Sequence, residues 1–296
     1  MSQSVIIDGK HLADQLKSEI AVEVKKMIDQ GYNPPHLAAI LVGEDPASET
    51  YVNSKEKACK EVGFISSIYR FESGIGEKKL LETIDFLNND EEIDGFIVQL
   101  PLPEDISVDK VLERIKPSKD VDGFHPVNIG KMVINMPCYL PATPNGILQI
   151  IEKYKIPTEG KNCVVLGRSN IVGTPISILL SRKGYPGNAT VTLCHSKTIG
   201  LKEICRNADI LIAAIGQPEF VKADMVKEGA VVIDVGIHRI ADSSKKSGFR
   251  LIGDVDFSKV SLKTSMISPV PGGVGPLTIV SLLQNTLKAA RKEIYK

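Results

Sequence analysis

At 296 residues the chain exceeds one typical domain and points to two α/β domains or one large one, with length enough to bury a substantial core. Its 36 basic and 36 acidic residues cancel, so no whole-chain field draws nucleic acid or an anionic membrane, and any anionic ligand must be held by local groups. Cys59, Cys138, Cys163, Cys194 and Cys205 form neither a CxxC pair nor a dense framework, no apolar run approaches ~20 residues, and no leader-like pattern opens the chain. A soluble, cytosolic protein in a reducing compartment is expected.

Short β-branched runs recur in chain order at 37–42, 66–71, 95–98, 163–166, 190–194, 210–213 and 231–234, separated by amphipathic segments. This alternation predicts an α/β fold with parallel sheets. Asp45-Pro46 is expected to cap and open a helix reaching about Val62, and Thr143-Pro144 one ending near Tyr154. Pro276 opens a last helix to about Tyr295, whose Leu277, Val280, Leu283 and Leu287 share one face. The aperiodic, Pro- and Gly-rich stretch from Pro117 to Pro144 reads as a crossing between domains, with a boundary near Pro141, and 241–250 reads as a solvated loop.

In the first half, Tyr51 and Lys55 stand four apart, so a ring and an ammonium project from one helical face. By itself such a lysine is ordinarily a solvated charge. Gln99 ends the run 95–98 just before Leu100-Pro101-Leu102-Pro103, at the strand end where ligands collect in parallel sheets. Asp120-Val121-Asp122-Gly123-Phe124-His125-Pro126 sets carboxylates in a tight turn, which an Asx-type turn also explains.

In the second half, Cys163 to Leu166 followed by Gly167-Arg168-Ser169-Asn170-Ile171-Val172-Gly173 reads as strand, turn and helix, the arrangement that aims free N–H groups at a phosphate. It departs from GxGxxG, having Ser at the third place and its second Gly at the seventh. Beyond the next strand, His195-Ser196-Lys197-Thr198 offers hydroxyls and a cation where an NAD site offers an acid. With Arg168 this suits a 2′-phosphate, favouring NADP over NAD. Ala213 to Gly216 and Asp234 to Ile237 place small residues at strand ends, either to admit a flat ring or merely to turn. No histidine spacing suits a metal, and none is expected.

Taken together, Tyr51-Val52-Asn53-Ser54-Lys55, Gln99-Leu100-Pro101-Leu102-Pro103, Asp120 to Pro126, Gly167 to Gly173, Cys194 to Thr198 and Pro269-Val270-Pro271-Gly272-Gly273-Val274-Gly275-Pro276 occur in this order. The chain resembles the methylenetetrahydrofolate dehydrogenase/cyclohydrolase family, the FolD-type bifunctional enzymes, over essentially its whole length. The resemblance implies an N-terminal α/β catalytic domain (1–142 plus a returning helix, 277–296), a Rossmann-like NADP-binding domain (143–276), and a cleft between them. It implies catalytic Lys55, Gln99, Asp122 and Tyr51, with Tyr51 and Asp122 also holding the pterin. It further implies a Pro271-Gly272-Gly273 turn over the substrate and cofactor contacts from Gly167, Arg168, Ser169, Ser196 and Ile237. The partners implied are tetrahydrofolate one-carbon derivatives and a second copy in a homodimer, with neither nucleic acid nor membrane.

The implied chemistry is hydride loss from a bridge carbon activated by two nitrogens, then hydrolysis of the methenyl product, with Lys55 moving protons. Two positions depart from the pattern: Ala142 stands where Cys is expected before Thr-Pro, and His238 where Asn is expected after Gly-Ile. The alternatives are a dehydrogenase without the hydrolytic step, which accumulates methenyl product, another two-domain NADP-dependent dehydrogenase, which leaves the Gln-Leu-Pro-Leu-Pro motif unexplained, and a binding protein without turnover.

Overall fold

Continuous apolar runs become strands buried on both faces, and the amphipathic segments between them become the helices that cover them. The computed structural model describes residues 4–245 and 248–295. In chain order it contains β1 (Val5–Ile6), α1 (Gly9–Asp29), β2 (His36–Val42), α2 (Pro46–Val62), β3 (Ile65–Phe71), α3 (Glu77–Asn89), β4 (Gly95–Val98), α4 (Val108–Arg114), α5 (Pro126–Val133) and α6 (Ala142–Lys153). There follow β5 (Asn162–Leu166), α7 (Gly173–Ser181), β6 (Thr190–Cys194), α8 (Leu201–Arg206), β7 (Ile210–Ala213), β8 (Val231–Asp234), β9 (His238–Ala241), β10 (Phe249–Ile252), α9 (Phe257–Val260), β11 (Met266–Ile267) and α10 (Gly275–Ala290).

The chain divides into two units, one of Asp14–Ala142 with Ile279–Lys296, the other of Met1–Ala13 with Thr143–Thr278. The first holds a parallel sheet of order β3-β2-β4. Its core gathers Ile40, Leu80, Ile84, Leu87, Phe96 and Val98, all nearly inaccessible. Asp45 caps α2 by accepting Ser48 N at 2.7 Å, Pro46 occupies the first turn, and Gly63 at φ 83° ends the helix in the left-handed region. These caps fix where along the helix axis Tyr51 and Lys55 fall.

The second unit is built on a parallel sheet of order β1-β11-β8-β7-β5-β6. β5 lies between β6 and β7, so the connection leaving β6 passes over β5, and the strand order reverses at the carboxyl end of β5. Such a switch point opens a crevice between loops that lead away in opposite directions.

Several expectations change. The stretch 117–144 is not structureless: α5 lies within it, capped by His125, whose Nδ1 accepts Val127 N. The expected loop 241–250 holds the ends of an antiparallel β9–β10 hairpin, with Lys246 and Ser247 outside the described residues. The last helix stops at Ala290, short of Tyr295. Residues 4–13 cluster with the cofactor-type sheet, not with the unit that follows them, because β1 pairs with β11. A two-residue strand carries too little periodicity to announce itself.

Candidate active site and cofactor loop

Lys55 and Gln99 meet. The Lys55 ammonium donates to Gln99 Oε1 at 3.1 Å, and Gln99 Nε2 donates to its neighbour's carbonyl, Leu100 O, at 2.7 Å. With its NH₂ committed to a carbonyl, the amide must turn its oxygen toward the amine. Backbone pairing of Gln99 N to Ile40 O at 2.9 Å extends the β4–β2 register to this residue and anchors it.

Lys55 and Asp122 each keep some exposed surface, yet burial is the larger influence on both. It pushes the lysine below its ordinary value, against the opposing pull of Asp122 and a smaller one of Cys59. It pushes the Asp122 carboxyl up, with Lys55 pulling it back. The outcome is an amine that gives up its proton more readily than in water. Tyr51, one turn earlier on α2, leaves 37% of its surface exposed.

Two aspartates of one motif do different work. Asp120 is 1% exposed and accepts Phe124 N at 3.2 Å, His125 N at 2.8 Å and Asn128 Nδ2 at 2.8 Å. Burial pushes it up to about 7, with the Asn128 and His125 bonds resisting. It builds the turn. Gly123 at φ 76° continues it, and a Cβ there would meet the Leu140 carbonyl carbon at 2.6 Å. Asn285 of α10 donates to both Val121 O and Leu140 O at 2.9 Å, closing the turn from the other end of the chain. Asp122 is thus the carboxylate left to act on Lys55.

In the other unit, the turn after β5 packs backbone on backbone. A Cβ on Gly167 would meet Ala214 O at 2.0 Å, and one on Gly173 would meet Gly167 O at 1.9 Å, so neither position admits a side chain. Ser169 Oγ accepts Val172 N at 3.2 Å and Gly173 N at 3.4 Å, while its own hydrogen stays available to a ligand. Arg168, Ser169, Asn170 and Ile171 are all exposed on this turn. Ser196 is exposed beyond β6, and Ile237, 42% exposed, lies beyond β8. Gly216, at φ 71°, has nothing within 4 Å of where a Cβ would stand. All of these sit at the carboxyl edge of one parallel sheet, around its switch point. A close-packed glycine turn, exposed donors and open space beside a strand-end glycine together suit a dinucleotide.

Pro271, Gly272 and Gly273 follow β11 at the same edge and are propped by the N-terminal segment. Lys10 N donates to Gly272 O at 2.9 Å, and Gly9 lies so close that a Cβ would meet Gly273 O at 1.9 Å. Sequence reading missed this support, and also the buried pair Asp234 and Asp254, which organises the turns after β7 and β8. Asp254 Oδ2 accepts Ile215 N at 2.7 Å and Gly216 N at 3.0 Å, while Asp234 accepts Gly236 N, Asp254 N and Val255 N. Gly253-Asp254 after an apolar run was the available signal. Among the described residues no cluster of His, Cys, Asp or Glu is arranged to hold a metal, and no helix is long and apolar enough to cross a membrane.

A parallel dinucleotide-type sheet in one unit and a lysine of lowered basicity held by an amide in the other define a nucleotide-dependent enzyme with acid–base capacity. The chain matches the tetrahydrofolate dehydrogenase/cyclohydrolase catalytic domain over residues 7–122 and the NAD(P)-binding domain of the same family over 141–294. It is 61% identical to the bifunctional protein FolD of Bacteroides fragilis over 291 residues, 98% of this chain and 99% of that protein. With FolD of Porphyromonas gingivalis it shares 56%, covering 98% of each. The structure superposes on the Campylobacter jejuni bifunctional FolD methylenetetrahydrofolate dehydrogenase/cyclohydrolase with TM-score 0.91 at 45% identity, over 98% of this chain and 99% of that one. It superposes on the Trypanosoma brucei dehydrogenase-cyclohydrolase, solved with NADP and an inhibitor, with TM-score 0.94 at 36% identity, covering all of both chains. The chain belongs to the tetrahydrofolate dehydrogenase/cyclohydrolase family.

Proposed function

We propose that this protein oxidises 5,10-methylenetetrahydrofolate with NADP and hydrolyses the 5,10-methenyl product to 10-formyltetrahydrofolate, with Lys55 as the proton-transfer group. The observation that carries the reading is the Lys55–Gln99 bond at 3.1 Å, on a lysine whose basicity burial lowers while Asp122 opposes the shift.

When bound, the oxidised nicotinamide accepts the hydride released from the one-carbon bridge. Arg168 and Ser196 would hold the 2′-phosphate, the Gly167 turn and the Ser169 hydroxyl would hold the pyrophosphate, and Ile237 would lie toward the nicotinamide. Tyr51 stacks on the pterin, Asp122 accepts from its amide and amino groups, and the Pro271-Gly272-Gly273 turn covers the substrate. In the second step the Lys55 amine takes the proton shed as water bonds the methenyl carbon. The resulting ammonium protonates N5 as the carbon–N5 bond opens, and the carbinol proton passes to solvent. Gln99 keeps the amine aimed and Asp122 tempers its loss of charge.

The same reading places the protein in the cytoplasm as a homodimer joined through its cofactor units. Five buried cysteines, none in a disulfide, accord with a reducing compartment, and β6 ends its sheet with an edge that a second copy can cover.

The test incubates purified protein with 5,10-methylenetetrahydrofolate and either NADP or NAD, following reduced cofactor, methenyl and 10-formyl products separately. The expected result is NADP reduction with 10-formyl product. Lys55→Met should cut the hydrolytic step by about 10²–10⁴-fold, so that methenyl product accumulates. Full hydrolysis by that variant would refute the role of Lys55.

A further inference from the structure

His238 leaves the sheet edge as the first residue of β9, and its side chain turns to a carboxylate with no exposed surface. Its Nε2 lies 2.7 Å from Asp254 Oδ1. The other oxygen of Asp254 accepts Ile215 N at 2.7 Å and Gly216 N at 3.0 Å, the two amides that form the turn after β7. With a carboxylate as acceptor, the ring nitrogen is the donor. Asp254 is itself pinned from behind, its N–H donating to Asp234 Oδ1 at 2.9 Å, and a Cβ on Gly236 would meet Asp254 Oδ1 at 2.3 Å. The carboxylate can therefore neither swing toward solvent nor find a substitute partner on the Gly236 side.

We infer that His238 is a positioning residue for the nicotinamide end of the cofactor, acting through Asp254 on the Ile215-Gly216 turn. The strand order supplies the direction. Reading across the carboxyl edge from β6 through β5 to β7 and β8, Ser196 comes first, the Gly167 turn second, and Gly216 and Ile237 last. A dinucleotide with its 2′-phosphate at Ser196 and Arg168 and its pyrophosphate on the Gly167 turn has its nicotinamide half at β7 and β8. The open space beside Gly216 lies at that end. Without the His238 bond, Oδ1 of a buried carboxylate loses its donor while the carboxylate stays confined, and its grip on the Ile215 and Gly216 amides through Oδ2 loosens.

This assignment rests on the NADP reading, and the experiment separates the two. Binding of NADP and of 2′,5′-ADP, which carries the 2′-phosphate but no nicotinamide, is measured by calorimetry on wild type, His238→Ala and His238→Gln, with Tm recorded for each. His238→Ala should weaken NADP about tenfold or more, the low end of the fold-change for one lost hydrogen bond to a charged group, while 2′,5′-ADP binding stays within about twofold. His238→Gln, whose amide nitrogen reaches about as far as Nε2, should restore NADP binding. Equal weakening of both ligands, or no weakening of either, would overturn the assignment. Wild-type protein that binds neither ligand would overturn the NADP reading beneath it.

Discussion

Asp120→Asn tests the division of labour between the two aspartates of the Asp-Val-Asp turn. Asp120 Oδ2 accepts two N–H groups at 2.8 Å and Oδ1 a third at 3.2 Å. An asparagine keeps one oxygen acceptor, best placed at the Oδ2 position, and sets its NH₂ against Phe124 N, a donor facing a donor. The cost is about 1–3 kcal/mol. The wild-type carboxyl has an opposing cost that depends on pH. Its folded pKa of about 7 lies above its ordinary value of 3.8, so its contribution to stability is full below that ordinary value and is lost as pH rises through about 7. Between pH 5 and 8 the two units from 5 to 7 act, at about 1.4 kcal/mol each, removing on the order of 3 kcal/mol from the wild type and nothing from the variant. The variant should be clearly less stable at pH 5 and nearly equal to wild type at pH 8. By circular dichroism the Tm gap should close by roughly 5–10 °C across that range. Other groups that titrate, such as Asp234, pushed up to about 7 by burial, act on both proteins and cancel in the difference. Parallel Tm-against-pH curves for the two proteins would refute the reasoning.

Arg168→Ala should weaken NADP binding about tenfold or more and leave NAD binding unchanged in the same calorimeter, because only the 2′-phosphate uses the guanidinium. Gly173→Ala drives a methyl to 1.9 Å from Gly167 O, so the turn must open; NADP binding should be lost and Tm lowered. All five cysteines are buried and burial pushes Cys59, Cys163 and Cys205 up to about 12, so Ellman's reagent at pH 8 should report no thiol in the native protein and five after denaturation.

The local chemistry of the chain was legible from its residues. The apolar runs that became β2 to β8 announced themselves because each is short, β-branched and bounded by turn residues. Asp45-Pro46 marked the start of α2 because capping is a contact within one turn. The Gly167 turn was recognisable from its position between an apolar strand and a helix, and Lys55 and Gln99 from the motifs that flank them. Proximity across long separations was not legible. Nothing at Gln99 announces that its amide oxygen meets an amine 44 residues earlier, and nothing in Asp-Val-Asp says which aspartate is fully enclosed.

The sequence by itself determined the periodicity, the caps and the glycine turns, because these depend on torsions and on neighbours a few residues away. Only the tertiary structure decided that Val5–Ile6 join the sheet of the cofactor unit, that Asn285 closes the Asp122 turn, and that Asp254 holds the turn after β7. It also set the lowered basicity of Lys55. Burial and the field of a distant carboxylate are sums over whatever the fold packs nearby, and no local pattern of residues encodes that sum.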